Sequence, residues 1–310
     1  VARLRAGLLS IVDSVTGRQH GEPVRTRGDD LHWSPDSRRL LLKGESSSDV
    51  IVRDASDGSL LARRRFEGDP ADDLVAVFGR DPDVLHVHGA GELHTVRAET
   101  LQPVHPPVPV EGTRPRWLAA HPRDGSVFVV DEDGSVIRVD PASGETVGRA
   151  RYGFVSSVDF SGVLSGDGSR MAVNGAGRVV RLLDVDRMEY VGPDTQTRWG
   201  ASPAYAPDGS QFAILQGDRI QLWDGRTGEF QASLPLPVGP GDFTIAYLPD
   251  SSGLVVAGTD GRTWTVDTRT DTWVERACAI AGRNLTREEW SQFFPTRPYE
   301  VSCPQWPAGS

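Results

Sequence analysis

Ala204-Tyr205-Ala206-Pro207-Asp208-Gly209-Ser210-Gln211-Phe212-Ala213-Ile214-Leu215-Gln216, followed by Arg219-Ile220-Gln221-Leu222-Trp223-Asp224 and Gly228, is the stretch that decides the fold. It holds a short apolar pair, a Pro-Asp-Gly turn, an apolar run of strand length, and a second strand-like run that closes on Asp before another Gly-containing turn. Working outward, the first turn recurs as Ser34-Pro35-Asp36, Asp81-Pro82-Asp83, His121-Pro122-Arg123, Gly166-Asp167-Gly168 and Leu248-Pro249-Asp250, at spacings of 40 to 47 residues. The closing Asp recurs out of phase with it, at Asp13, Asp54, Asp140, Asp184 and Asp267. Two interleaved signals at this period specify the blade of a β-propeller, a unit of four strands that cannot bury its faces without neighbours.

The frame fits Leu31 to Arg65, Val127 to Val147, Met171 to Val191, Ala204 to Leu234 and Leu254 to Asp267. Leu74 to Val104 fits most loosely, because Arg97 stands where the closing Asp is expected. Leu8 to Asp13 and Glu22 to Thr26 read as a third and fourth strand with no room for two before them. The expected architecture is all-β, a propeller of four-stranded blades. A seven-bladed ring cut within its first blade is favoured, and a six-bladed ring closed by an N-terminal strand is the alternative. Either way the first and last segments are expected to share a blade, since a closed ring removes exposed sheet edges.

After Asp267 the period changes. Thr272-x-x-Glu275 reads as a capping box before a helix from Trp273 to Ala281, with Gly282 as its stop. Thr286-x-x-Glu289 reads as a second capping box, opening a helix that runs to Phe294 and ends at Pro295. Residues 1–271 are therefore expected to form the propeller and 272–310 a helical appendage, packed on it through Trp290, Phe293, Phe294 and Tyr299.

Composition narrows the function. Acids outnumber Lys and Arg by 43 to 33, a net charge of −10, which argues against a phosphate-binding surface and favours basic partners. No apolar run reaches the roughly 18 residues of a membrane helix, so no membrane span is expected. The chain begins on Val1 within strand-like sequence, and the expectation is a fragment of a longer protein.

Trp223-Asp224 with Gly228, and the Pro207-Asp208-Gly209 turn ahead of it, resemble the WD-repeat propellers. The Gly-His pair of many such repeats is missing, so that family's Asp, His, Ser/Thr and Trp hydrogen-bond set is not assigned here. Cys278, Ala281-Gly282-Arg283-Asn284-Leu285-Thr286, Glu289-Trp290, Pro295, Tyr299 and Cys303-Pro304 resemble the closing segment of WD-repeat regions in large bacterial STAND-type signalling NTPases and related regulators. The resemblance implies a C-terminal sensor or interaction module, cytoplasmic, whose partner is another protein or another domain of the same chain. The NTPase itself is not represented, because no Gly-x-x-x-x-Gly-Lys-Ser/Thr occurs.

Candidate chemistry is sparse. His86 and His88 fall on one face of a strand and His94 on the next strand, where three imidazoles could converge on a metal; a polar strand face is the competing explanation. Cys278 and Cys303 bracket the second tail helix and could form a disulfide or pack as reduced thiols. Asn174-Gly175-Ala176-Gly177 lies between strands and reads as a hairpin turn, and Asp131-Glu132-Asp133-Gly134 as a tight acidic turn. Arg63-Arg64-Arg65 reads as a solvated strand face or an acidic-partner contact, and Tyr152 and Trp199 as aromatic anchors in connections between blades. Trp33, Trp117, Trp223 and Trp264 are expected to fill wedges between blades. No cofactor and no nucleic acid is expected. The leading expectation is a non-catalytic protein-interaction module of a larger regulator. The alternative is a propeller enzyme or a metal- or ligand-binding ring with a site in its central channel.

Overall fold

The computed structural model describes the chain apart from residues 1, 6–7, 13–17, 27, 45–47, 67–73, 111–114, 153–160, 176–178, 198–201, 237–242, 259–261 and 310. The strands group in chain order. They are β1 (Ala2–Arg5), β2 (Leu8–Val12) and β3 (Gln19–Arg25); β4 (Gly28–Trp33), β5 (Arg39–Gly44), β6 (Asp49–Asp54) and β7 (Leu60–Arg65); β8 (Val75–Phe78), β9 (Val84–Gly89), β10 (Glu92–Arg97) and β11 (Val108–Pro109). There follow β12 (Pro115–Ala120), β13 (Val127–Asp131), β14 (Ser135–Val139) and β15 (Thr146–Arg151); β16 (Ser161–Leu164), β17 (Arg170–Gly175), β18 (Val179–Asp184) and β19 (Glu189–Gln196); β20 (Ser202–Tyr205), β21 (Gln211–Gln216), β22 (Arg219–Asp224) and β23 (Phe230–Pro235); and β24 (Phe243–Tyr247), β25 (Gly253–Gly258) and β26 (Thr263–Asp267).

Each group is one antiparallel sheet whose strands lie side by side in chain order. Six consecutive blades run from β4 to β26, the last with three described strands, and the three-stranded sheet β1–β3 precedes them. This is the propeller that the period predicts. A single strand, β1, precedes Leu8, which agrees with a frame that has no room for two. One expectation needs correction: among the described residues the first and last segments form separate sheets, because β1–β3 and β24–β26 each carry their own hairpins.

The second strand of each blade is largely buried, and so is the third strand in β6, β14 and β18. β13 is buried at all five positions, as a strand covered on both faces should be. Side chains meet across the wedges between blades, for example Phe128, Val130 and Val136 of one blade against Met171, Val173 and Leu183 of the next. Each such burial contributes about 1.5–3 kcal/mol, so the ring is held by its wedges. Trp117, Trp223 and Trp264 pack there as expected, whereas Trp33 is 38% exposed. In the loosest blade Pro103 pairs only as an isolated bridge with Val96, and the fourth strand resumes at β11, because Pro103, Pro106 and Pro107 interrupt the ladder.

Two helices close the chain, α1 (Thr270–Ala281) and α2 (Arg287–Phe293). α2 has the predicted capping box, with Glu289 N–H donating to Thr286 Oγ1 at 3.1 Å and Thr286 N–H to Glu289 Oε2 at 2.8 Å. Gly282 ends α1 at φ 65°, also as predicted. The box at Thr272 does not form. α1 starts earlier, with Arg269 as an N-cap lacking a side-chain bond, because the Trp273 indole donates to the Asp267 carbonyl at 2.9 Å and docks the helix beside β26.

Candidate interaction face

The two repeating sequence signals meet in space. In an antiparallel blade the turn after the first strand and the turn after the third lie at one end, and here a backbone bond joins them. It recurs as Ala55 N–H to Arg38 O, Ala98 to Asp83, Val185 to Ser169, Gly225 to Ser210 and Thr268 to Ser252. In the blade β12–β15 the corresponding residue is Pro141, which has no N–H to give.

At this end several Asp residues are braced by their own turns. Asp208 Oδ1 accepts from Ser210 N–H at 2.9 Å and Ser210 Oγ at 2.7 Å, and Asp250 Oδ1 from Ser252 at 3.0 and 2.6 Å. Asp36 accepts from Ser34 Oγ at 2.6 Å, and Asp167 from Ser165 Oγ at 2.7 Å. These bonds favour the charged form. Burial works against ionisation of Asp167, yet the bonds from Ser165 and Ser169 outweigh it and hold its pKa at about 2. The Ser34 hydroxyl lowers the pKa of Asp36, and the Ser252 hydroxyl that of Asp250; at Asp208 the Ser210 bonds overcome burial. These carboxylates are ionised at neutral pH and fixed in position.

Arginines lace neighbouring blades together behind the carboxylates. Arg39 reaches Asp83 and Glu99 of the next blade, both at 2.7 Å. Arg138 binds Asp124 and donates to the Val185 carbonyl across a blade boundary, and Arg170 pairs with Asp184 at 2.9 Å while reaching the Arg226 carbonyl. His121 Nδ1 lies 2.9 Å from the Asp124 carboxylate and 3.2–3.3 Å from the amides of Arg123 and Asp124, and its Nε2 lies 3.2 Å from the Gly168 carbonyl of the next blade. Gly168 has φ +71°, and a Cβ there would lie 2.4 Å from the imidazole. Only the turn residues among these partners are marked in the sequence; the arginines carry no signal beyond their type, since their reach depends on the stacking of blades.

The residues singled out from sequence scatter over the ring. His86 and His88 share a face of β9, but register pairs His94 with Val87, on the opposite face, so the three imidazoles do not converge. His86 contacts Thr95 Oγ1 at 3.2 Å. His88 is fully buried with neither ring nitrogen partnered. Burial above all pushes the pKa of each down to about 4. His94 is half-buried and packs edge-on against Phe66. Among the described residues no group of three or more His, Cys, Asp or Glu is arranged to hold a metal ion.

Arg63 and Arg65 are exposed on one face of β7, with Arg63 on Asp49 at 2.5 Å. Arg64 points the other way, stacks on Phe66 and donates to the Leu101 carbonyl at 2.7 Å, so it serves the joint with the next blade. Tyr152 is 4% exposed, a correction to its reading as a presented anchor. Its ring packs with Tyr190 and the Arg181 guanidinium, which Asp194 holds at 2.8–2.9 Å. Trp199 and residues 176–178 of the glycine-rich hairpin lie outside the described residues.

Cys278 and Cys303 are joined in a disulfide, and both are buried. Around it the Asn284 amide donates to the carbonyls of Cys303, Trp306 and Pro307, all at 2.9 Å, and accepts from Cys303 N–H at 2.8 Å. Trp290 is buried against Phe294 and Tyr299 within the tail itself. Phe293 is 62% exposed, and the contact with the propeller core comes from Trp273 instead.

No family model and no curated protein matches the chain. Solved structures do. A Kuenenia stuttgartiensis hydrazine synthase chain superposes with a TM-score of 0.66 at 17% identity, over 86% of this chain and 90% of that one. A chain of the mitotic checkpoint complex gives 0.67 at 14%, over 86% and 83%. The Myceliophteria thermophila Cps50 (Swd1) β-propeller domain gives 0.62 at 17%, over 86% and 93%. Likeness at this identity establishes a WD-repeat type of propeller fold. Among the described residues no helix is long and apolar enough to cross a membrane.

Proposed function

We propose that this propeller is a non-catalytic protein-interaction or sensor module of a larger bacterial signalling or regulatory protein, STAND NTPase-like or a transcriptional regulator. The observation that carries the reading is the end of the blades where exposed aspartates are braced in turn after turn. Carboxylates fixed and ionised before binding lose little conformational freedom when a partner docks, and they attract a basic surface from a distance. Two of the similar propellers point the same way: one belongs to a mitotic checkpoint complex, the other is the Swd1 propeller domain. The regulator context rests on the resemblance of the tail, from Cys278 to Pro304. In that setting, partner occupancy biases whichever state of the parent it binds better.

The cytoplasmic setting that the resemblance implies and a lasting Cys278–Cys303 bridge pull in opposite directions, because cytosolic glutathione keeps thiols reduced. Non-reducing mass analysis of the native protein decides between them. The interaction reading is tested by carbodiimide cross-linking in lysate of the source organism, which joins carboxylates to a partner's lysines with no spacer. Lys43 is the only lysine of the ring, so self-cross-linking is sparse. Partner peptides joined at Asp81, Asp208 or Asp250 are expected; partner peptides joined only to acids away from these turns would overturn the assignment of the face.

A further inference from the structure

Five of the six consecutive blades carry a fourth strand against the third, namely β7, β11, β15, β19 and β23, whereas β24–β26 has three strands among the described residues. Bonds from Gly258 N–H to Arg262 O at 2.9 Å and from Thr268 N–H to Ser252 O at 3.4 Å fix how β26 pairs with β25. Residues 262, 264, 266 and 268 therefore spend their backbone groups on β25, and Thr263, Thr265 and Asp267 turn theirs outward. The Asp267 carbonyl is taken by the Trp273 indole. The amides of all three residues and the carbonyls of Thr263 and Thr265 have no partner among the described residues, and both threonines are exposed. In complete blades the amide equivalent to that of Asp267 is bonded to a carbonyl five residues on, as Asp54 to Ser59, Asp140 to Glu145 and Asp224 to Glu229. We propose that β26 is a strand-addition site, at which an extended segment of a partner protein completes the last blade.

An unpaired edge is a template for another strand: main-chain bonds supply affinity, and the fit of alternate side chains supplies specificity. Neighbouring segments of this chain are committed elsewhere. β1–β3 forms a sheet of its own, and after Asp267 the chain leaves as α1 and folds on itself through the Cys278–Cys303 bridge. The added strand is thus assigned to another molecule. The face beside the edge is open as well. Thr244 and Ala246 are exposed, and Val255 and Ala257 half-buried, where Ala213 and Leu215 at the equivalent positions of the preceding blade are buried. The complete blades show which segment fits. Opposite the residue two before the closing Asp, three of them place a small residue: Ala62 against Val52, Gly148 against Arg138 and Ala232 against Leu222. A polar residue follows each, as Arg63, Arg149 and Ser233. Thr265 holds that position in β26, so the partner segment sets Ala or Gly against Thr265 and a polar residue next to it.

The probe is a synthetic peptide copying residues 229–235, the outer strand of the preceding blade, with blocked ends. Hydrogen exchange resolved to single residues follows β26 in the full chain. The amides of Thr263, Thr265 and Asp267 are expected to exchange fast in the free chain, and about 10-fold more slowly once the peptide occupies nine-tenths of the edges. N-methylation at the positions copying Ala232 and Leu234 removes the donors that face Thr265 and Thr263, and Ala232→Trp in the peptide removes the small residue. Each modified peptide is expected to bind at least about 10-fold more weakly. Thr265→Pro in the protein strips one donor from the edge and none from the pairing with β25, and is expected to abolish protection of the other two amides. No protection at millimolar peptide, or equal binding of the N-methylated peptide, would overturn the proposal. Slow exchange of these amides in the free chain would overturn it too, assigning the edge to a second copy if sedimentation shows a dimer and to the chain itself if it shows a monomer. The peptides are compared on the unmutated chain, so the test stands even where Thr265→Pro fails to fold. A variant with Asp167→Asn, Asp208→Asn and Asp250→Asn is expected to bind the peptide as the wild type does, which keeps this site separable from the aspartate face.

Discussion

Replacing His88 by Leu should stabilise this protein, and more so in acid. His88 is fully buried and neither nitrogen has a partner, so the native state carries an uncompensated polar ring. An apolar side chain of similar volume removes that penalty, about 1 kcal/mol at pH 7.5. Acid adds a second contribution through linkage. Burial holds the native pKa at about 4, against 6.5 for the unfolded chain, so between these values the unfolded state binds the extra proton. Stability is thus intact above the unfolded pKa and drains away as pH falls toward the native one. At pH 5 the loss from one such histidine comes to about 2 kcal/mol. His88→Leu is therefore expected to stabilise by about 1 kcal/mol at pH 7.5 and about 3 kcal/mol at pH 5. Urea unfolding at both pH values, followed by tryptophan fluorescence, measures the difference. Equal effects at the two pH values, or destabilisation at pH 7.5, would refute the reasoning.

Other expectations concern the tail and the blade joints. Reducing the Cys278–Cys303 bridge, which spans 25 residues, should lower the opening free energy of the tail by about 3 kcal/mol, visible as faster hydrogen exchange from residues 278 to 306. Asn284→Asp keeps the acceptor for Cys303 but strips three carbonyls of their donor, and should cost about 3 kcal/mol in the same assay. Gly168→Ala forces a Cβ into the His121 ring at a left-handed position, and should lower thermal stability by about 2–3 kcal/mol.

The period and both turn signals were legible because a propeller blade needs tight turns at fixed intervals, and tight turns demand Pro, Asp and Gly. The blade β8–β11 was the hardest to see, since Arg97 replaces the marker and prolines break its last strand. The first tail helix was misplaced because tertiary docking of Trp273 outweighed a local capping signal at Thr272. Chemistry was less legible than fold for a geometric reason. A shift of one residue in register moves a side chain to the other face, and this separates His94 from His86 and His88. Likewise Tyr152 lies in a connection by sequence but turns inward beneath Arg181, a contact made between blades. The aspartates were visible one turn at a time, whereas their common end emerges only when the blades are stacked.

The most direct test of the interaction reading is quantitative capture by the intact chain and by a variant carrying Asp167→Asn, Asp208→Asn and Asp250→Asn. Asn keeps the side-chain oxygen that braces each turn and removes the charge. A basic partner held by the wild type at low salt and lost by the folded variant is the predicted result, with wild-type binding weakening as salt rises. A partner retained equally by both, independent of salt, would contradict the account.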